Sequence, residues 1–404
     1  MKLKKILNIF KIINFQDTIN EISSCDVLFF CHDVNRGVTL GNKAYSPLID
    51  SVRQELEQKG YKCLTIANPW SKMIGEVAYG RPIAINRSYF ISKVVKKILG
   101  IRADLKLYKN ILKLAEPKLI ITIGCNNELC EAAHSLNVYH IELLHGIGYT
   151  SIPWGWEKAQ KSHLPQGIFS LDKISTTTFK QLENLNIDIK QIKHPFLSRF
   201  IKEETNFLPA EWVLKKSKKK YKKEILISLQ WGYASQIDEI EIFEGYLKNG
   251  LFYEELEEII QETKEAVLWR FRFHPVQYRQ FEKYKKLFDY MENFIARNPN
   301  CEWKESTYLP LPAILKNCSG HLTMSSMSSY EAAYMGVPTL ALCPSLQKNG
   351  IHRNFFEDLV KNQYLEKQNF NVKEVKYWLQ NCKVKKPLLD FSHLTVSEEI
   401  ERLL

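Results

Sequence analysis

HLTMSSMSSYEAAYMGVPTLAL, residues 321–342, leads from an apolar stretch through four serines into a helix-like YEAAYMG and out through GVP. HLTM reads as a buried strand, SSYEAAYMG as a helix stopped by Gly336, and TLALC as the next strand, with Val337-Pro338 as its entry. Strand, helix and strand in that order form a parallel crossover unit. Unpaired N–H groups at a helix start, with the helix dipole, favour an anion, and serine hydroxyls add donors without bulk. One serine could serve only as an N-cap, but a cap does not need Ser325, Ser326, Ser328 and Ser329 together. The stretch is therefore read as a phosphate cradle. Glu331, about one turn into the helix, either accepts from ribose hydroxyls or simply favours the helix N-terminus.

The same alternation extends both ways. In the first half, VLFFCHD (27–33), CLTIA, KLIITIG (118–124), VYHIELL and GIFSLD read as strands. Between them lie helix-like SPLIDSVRQELEQKG (46–60), FISKVVKKILG, NELCEAAHSLN and TTTFKQLENL. In the first of these Ser46 is the N-cap and Gly60 the stop. The pattern lapses through HPFLSRFIKEETNFLPAEW and a lysine run, then resumes with ILISLQ, VLWRFRFHP, a long helix from Gln277, CEWKE, PAILKNC and the opening stretch. Apolar strands between amphipathic helices indicate parallel sheets covered on both faces. The expected architecture is α/β, two Rossmann-like domains facing a central cleft. The N-terminal domain spans 1–200, a basic linker 201–223, and the C-terminal, nucleotide-donor domain 224–385. Residues 386–404 form a helix that could pack back on either domain.

With 404 residues, 45% hydrophobic and 25% charged, the chain has globular composition. No apolar run approaches a membrane span, and the N-terminus lacks an uninterrupted apolar core and a cleavage site. Nine scattered cysteines without zinc spacing suit reduced thiols in a cytoplasmic protein. The formal charge is +11, matched by four lysines in residues 1–11 and seven in KKSKKKYKK (215–223). The lysine run reads as a solvated linker or a patch for anionic headgroups; no nucleic-acid module accompanies it. In MKLKKILNIFKIINF apolar residues recur at helical spacing, which fits either an interfacial helix or packing on the domain.

WRFRFHP carries chemistry. Trp269, Phe271 and Phe273 fall on one face of the strand; Arg270, Arg272 and His274 fall on the other. A cationic face means either an edge strand or an anionic ligand at the strand's C-terminal end, where open α/β sheets bind ligands. In the first half, His145-Gly146 ends a strand and offers either a buried, satisfied histidine or a general base, with Glu142 as the nearby carboxylate. Asp238 and Glu239, after ILISLQWGYASQ, are further carboxylates that could reach the cleft. GxGxxG, Walker, GxSxG and HExxH motifs are absent, and so is an Asp-x-Asp pair, so no metal or cofactor is expected.

FRFHP, SSMSSYEAAYMGVP about fifty residues later, and an HG in the first half together resemble the bacterial GT-B glycosyltransferases of capsule and lipopolysaccharide. That group includes Kdo transferases, polysialyltransferase-like enzymes and CDP-glycerol glycerophosphotransferases. The resemblance implies that His274 with Ser325 and Ser326 contacts the phosphate of a cytidine nucleotide donor, and that Glu331 lies near the ribose. It implies His145 as base. Three residues, rather than two, separate the serine pair from Tyr330-Glu331, which leaves Ser326 or Ser328 as the alternative contact. The acidic D/E-D/E-G motif of sialyltransferase-like members is missing.

The implied function is transfer of a CMP-activated acidic sugar, Kdo or a nonulosonate, to a lipid-linked or growing surface glycan. Arg270, Arg272, His274 and the serines would stabilise the departing nucleotide, and His145 would activate the acceptor. A retaining reaction would instead use Asp238 or Glu239. The basic segments would hold the enzyme at the inner membrane. The alternatives are a UDP- or GDP-hexose transferase, a glycerophosphotransferase, and a non-catalytic nucleotide-binding subunit of a polysaccharide assembly system.

Overall fold

A computed structural model describes residues 17–31, 37–68, 76–201, 208–214, 221–238, 243, 245–390 and 392–404. The N-terminal amphipathic segment, most of the lysine run and Glu239 lie outside the described residues. The chain forms two units, Met1–Phe196 with Asp390–Leu404, and Leu197–Leu389.

In the first unit the strands are β1 (Val27–Cys31), β2 (Val38–Leu40), β3 (Lys43–Tyr45), β4 (Cys63–Ala67), β5 (Leu119–Thr122), β6 (Tyr139–Leu143), β7 (Gly167–Ser170) and β8 (Asp188–Gln191). Six of them form one sheet in the order β4-β1-β5-β6-β7-β8. Every pairing in that sheet is parallel, and β2 with β3 is a separate antiparallel hairpin. β1 shows why both faces are covered. Val27, Phe29 and Cys31 pack with Ile49, Val52 and Leu56 of the helix Ile49–Gln58. Leu28 and Phe30 point the other way, onto Tyr108, Ile111 and Leu112 of the helix Ala103–Ala115. Ser46 Oγ accepts from Ile49 N–H at 3.2 Å while Asp50 accepts from Ser46 N–H at 2.7 Å, closing the start of the first helix.

The helix Val396–Glu401 belongs to this unit. Val396 and Ile400 complete the cluster around Val27 and Phe29. Lys190 meets Glu399 at 3.0 Å, and Lys59 meets Glu401 at 2.7 Å.

The second unit holds β9 (Lys223–Ser228), β10 (Val267–Arg272), β11 (Cys301–Glu302), β12 (Gly320–Thr323), β13 (Thr339–Ala341) and β14 (Leu365–Lys367). They form a parallel sheet in the order β11-β10-β9-β12-β13-β14. This unit starts earlier than the sequence suggests, at Leu197. The helix Leu197–Ile201 packs on the helix Leu311–Leu315, and Phe200 stacks on Trp212 with ring centroids 6.3 Å apart. Lys223, read as linker, opens β9. Its ammonium donates to the carbonyls of Leu379, Gln380 and Cys382 at 2.6, 3.1 and 3.2 Å, where the helix Val372–Asn381 ends. A cation there meets the negative end of the helix. No helix among the described residues is long and apolar enough to cross a membrane.

Candidate functional site

β10, β9 and β12 are neighbours whose C-terminal ends lie level. Arg272 and Thr323 both register with Ser228. The turns after these three strands carry His274, Gln230 and the serine run, so one edge of one sheet gathers them.

His274 caps the short helix Pro275–Arg279. Its Nδ1 accepts from Val276 N–H at 3.2 Å, and its own N–H donates to Gln277 Oε1 at 2.9 Å. Burial, reinforced by Arg279 and Arg272, holds the imidazole below its ordinary pKa. The ring is therefore neutral at pH 7. Because Nδ1 is an acceptor, the proton sits on Nε2, which remains as a donor.

Gln230, after β9, organises the serine turn. Its Oε1 accepts from Ser325 N–H and, at 3.3 Å, from the Thr323 hydroxyl. Its amide lies 3.4 Å from Ser325 Oγ, as does the Tyr233 hydroxyl. Ser326 Oγ accepts from Ser328 N–H at 3.2 Å and from Ser328 Oγ at 2.9 Å. The helix that follows, Ser328–Tyr334, has seven residues, so the donors this turn could offer an anion are hydroxyls rather than a long helix dipole. Ser325, Ser326 and Ser328 are half-buried. Ser329 is fully buried, which removes it from the set expected to meet a ligand.

Beneath the serines, His321 is fully buried. It bridges Thr339 Oγ1 at 3.0 Å and Ser228 Oγ at 2.8 Å, and thereby joins β13, β12 and β9. Burial pushes its pKa down to about 3, so it is a neutral strut. Arg272 donates to the carbonyls of Ser306 and, at 2.7 Å, Leu309, closing the end of the helix Lys304–Tyr308. Glu331 is half-buried. Burial pushes its carboxyl up to about 7, against the opposing pull of Arg272.

Three expectations are corrected here. Arg270 does not face a ligand. It is 1% exposed and lies 2.7 Å from Glu224 of β9 and 2.7 Å from Glu302 of β11. The cationic face of WRFRFHP is thus answered from within the sheet at this position, and β10 is not an edge strand. Asp238 is also internal. One oxygen accepts from Gly232 and Ala234 N–H at 2.8 and 3.0 Å, and the other from Tyr284 OH at 2.6 Å. Those donors make it the clamp of the turn after β9, and it is buried, 5% exposed, away from any ligand.

Glu142, in the first unit, behaves likewise. Its carboxyl accepts from Thr122 Oγ1 at 2.5 Å and from Gly124 and Cys125 N–H at 2.6 and 3.1 Å. It is fully buried, and burial raises its pKa to about 7. Its bonds fix the turn after β5. His145, in the turn after β6, is exposed and therefore not the buried histidine that was the alternative reading. Its ring centroid lies 6.4 Å from that of Trp154. Gly146 leaves room for the Tyr149 side chain, since a Cβ there would sit 2.8 Å from its hydroxyl and push it aside. The turn is pinned through Gly148, whose N–H donates to Asp172 at 3.1 Å, while Asp172 also caps the helix Lys173–Phe179 through Ser175 N–H at 2.9 Å. Among the described residues no cluster of three His, Cys, Asp or Glu could hold a metal.

Gln230 and His321 were not anticipated. Each is a polar residue in or beside an otherwise apolar run, and that is the signal that would have found them.

The two parallel sheets with flanking helices define a two-domain α/β protein of the GT-B fold. No family model matches the chain, and no curated protein matches it in sequence. Solved structures do match. The wall teichoic acid polymerase TagF is 12% identical with a TM-score of 0.54, over 94% of this chain and 87% of that one. UDP-GlcNAc 2-epimerase from Methanocaldococcus jannaschii is 13% identical with a TM-score of 0.51, over 93% and 98%. MurG from Acinetobacter baumannii is 11% identical with a TM-score of 0.50, also over 93% and 98%. At these identities the likeness is one of fold.

Proposed function

We propose that the chain is a metal-independent glycosyltransferase that uses a nucleotide-activated sugar to build a surface glycan on a lipid-linked or growing acceptor. One observation carries the reading. The committed Nδ1 of His274 leaves an Nε2–H donor at the end of β10, on the sheet edge that also presents the hydroxyls of Ser325, Ser326 and Ser328. A neutral imidazole and small hydroxyls suit the oxygens of a departing nucleotide phosphate. As the glycosidic C–O bond breaks, its electron pair moves onto that oxygen, and donors already oriented by capping and by Gln230 stabilise the charge without reorganising. His145 takes the proton from the acceptor hydroxyl. Glu331 serves the ribose.

The donor in this reading is a CMP-activated acidic sugar such as Kdo or a nonulosonate, a choice that rests on the HP and serine motifs. A second reading, a glycerophosphotransferase using a CDP-linked donor, draws on His145-Gly146 and on the fold shared with a wall teichoic acid polymerase. An epimerase solved with UDP-GlcNAc and UDP keeps a UDP-sugar donor as the third. Thermal stabilisation by CMP, CDP, UDP and GDP separates them, since a ligand of the native state raises its melting temperature. CMP and CDP are expected to stabilise most; equal effects of all four would remove the cytidine assignment. His274→Ala should abolish transfer, and full turnover by that variant would overturn the role given to His274. Nucleotide binding without any turnover would favour an assembly subunit over an enzyme.

A further inference from the structure

Two cysteines meet at a helix start in the first unit. Asn126 caps the helix Asn127–Ser135, its Oδ1 accepting from Leu129 N–H at 2.9 Å. Cys125 therefore stands just before the cap, and Cys130 is the fourth residue of the helix. Those are the two positions whose side chains close over a helix N-terminus, where apolar side chains ordinarily pack. Here two thiols occupy them, and they hydrogen-bond to each other. The backbone beneath them is fixed on both sides. Gly124 and Cys125 N–H donate to Glu142 at 2.6 and 3.1 Å, and Asn126 Nδ2 donates to Tyr108 OH at 2.9 Å.

The pair has a buried end and an open one. Cys130 is fully buried beside His140, whose Nδ1 has no hydrogen-bond partner among the described residues. Burial opposes a thiolate there, but the Cys125 thiol and His140 outweigh it and hold Cys130 below the ordinary thiol range. Cys125 is half-buried, so it is the sulfur that a small oxidant reaches. Cys63, the other half-buried cysteine, lacks this arrangement, and burial pushes its thiol up to about 12. The other six are buried. We propose that Cys125 and Cys130 form a peroxide-sensitive dithiol, Cys125 taking the oxidant and Cys130 closing the disulfide. With hydrogen peroxide, an S–O bond forms at Cys125 as the O–O bond breaks, and the departing hydroxide takes up the thiol proton as water. The Cys130 sulfur then attacks that of Cys125. The S–S bond forms, the S–O bond breaks, and the second hydroxide leaves with the Cys130 proton as water. Two thiols lose two electrons in all, and one peroxide becomes two waters. The site lies wholly in the first unit and stands whether or not the chain transfers a sugar.

The test treats the reduced full chain with hydrogen peroxide, unfolds it in iodoacetamide and weighs the tryptic peptide 119–158, which carries both cysteines. That peptide should lose two hydrogen atoms and escape alkylation, and dithiothreitol should restore both thiols. Its oxidation should be at least about tenfold faster than that of any of the other seven cysteines. Cys130→Ser should leave a sulfenic acid on Cys125 that dimedone traps, whereas Cys125→Ser should leave Cys130 alkylatable. The wild-type measurement decides even where a variant fails to fold. Wild-type Cys125 and Cys130 that stay alkylatable, or that oxidise no faster than the rest, would overturn the proposal and leave the pair as a packing contact. Dimedone capture at Cys130 in Cys125→Ser as fast as at Cys125 in Cys130→Ser would overturn entry through Cys125.

Discussion

Arg270 on β10 and Glu302 on β11 are direct register partners, and the guanidinium lies 2.7 Å from the carboxylate while Glu224 closes its other side at the same distance. The pair stitches a two-residue edge strand to the sheet. Removing the Glu302 carboxylate leaves a buried cation short of a partner, so Glu302→Ala should cost about 3 kcal/mol in urea unfolding. Nucleotide stabilisation of the folded variant should be unchanged. A cost under about 1 kcal/mol would mean that the pair does not hold the edge.

Gln230 is expected to matter for binding without touching the ligand. Gln230→Ala frees the Ser325 N–H and the Thr323 hydroxyl from their shared acceptor. The serine turn then has to be ordered by the nucleotide itself. Calorimetric titration with CMP should show affinity about tenfold weaker, roughly 1.4 kcal/mol. Unaltered affinity would show that the turn is held by other contacts.

The carboxyl of Glu331 gives a pH signature. Its folded-state pKa of about 7 lies above its ordinary 4.5 because of burial. Between these values the folded chain holds more protons than the unfolded one. Its contribution to stability is therefore full below about pH 4.5 and is lost as pH rises through about 7, on the order of 2–3 kcal/mol. Glu142 acts with the same sign. His194 and His321, both pushed down to about 3, act with the opposite sign and lose stability as pH falls below about 6.5. The clean measurement is the difference in unfolding free energy between wild type and Glu331→Gln across pH 4 to 8. That difference should slope between about 4.5 and 7, and a flat one would place the carboxyl in water.

The sheets were legible because their central strands are apolar throughout, as VLFFC and ILIS are. β14, with sequence LEK, was not, because an edge strand of three residues carries charges and no period. The hairpin of β2 and β3 is equally short. His274, the serine run and His145 stood out as polar residues at strand ends. The employment of Arg270 could not be seen, since its partners Glu224 and Glu302 are 46 and 32 residues away and only strand register brings them together. Charge misled for a related reason. Eleven lysines elsewhere account for the whole excess, which hid the +6 of residues 86–116 (eight Lys and Arg, two Asp and Glu), where Lys93, Lys96 and Arg102 pair with Glu128 and Glu131 just beyond the segment.

The return of the helix Val396–Glu401 to the first unit has a consequence for how the chain is born. Ser397 Oγ meets Glu55 across 342 residues of sequence, and Val396 and Ile400 fill a core begun by Val27. The first unit therefore begins before the second but is completed after it, whereas the second, from Leu197 to Leu389, is one uninterrupted stretch that can close as soon as it is made. Until the final turn of helix arrives, the hydrophobic wall around Ile49 and Val52 stands open, and nascent chains stalled before Asp390 should be the species that chaperones hold.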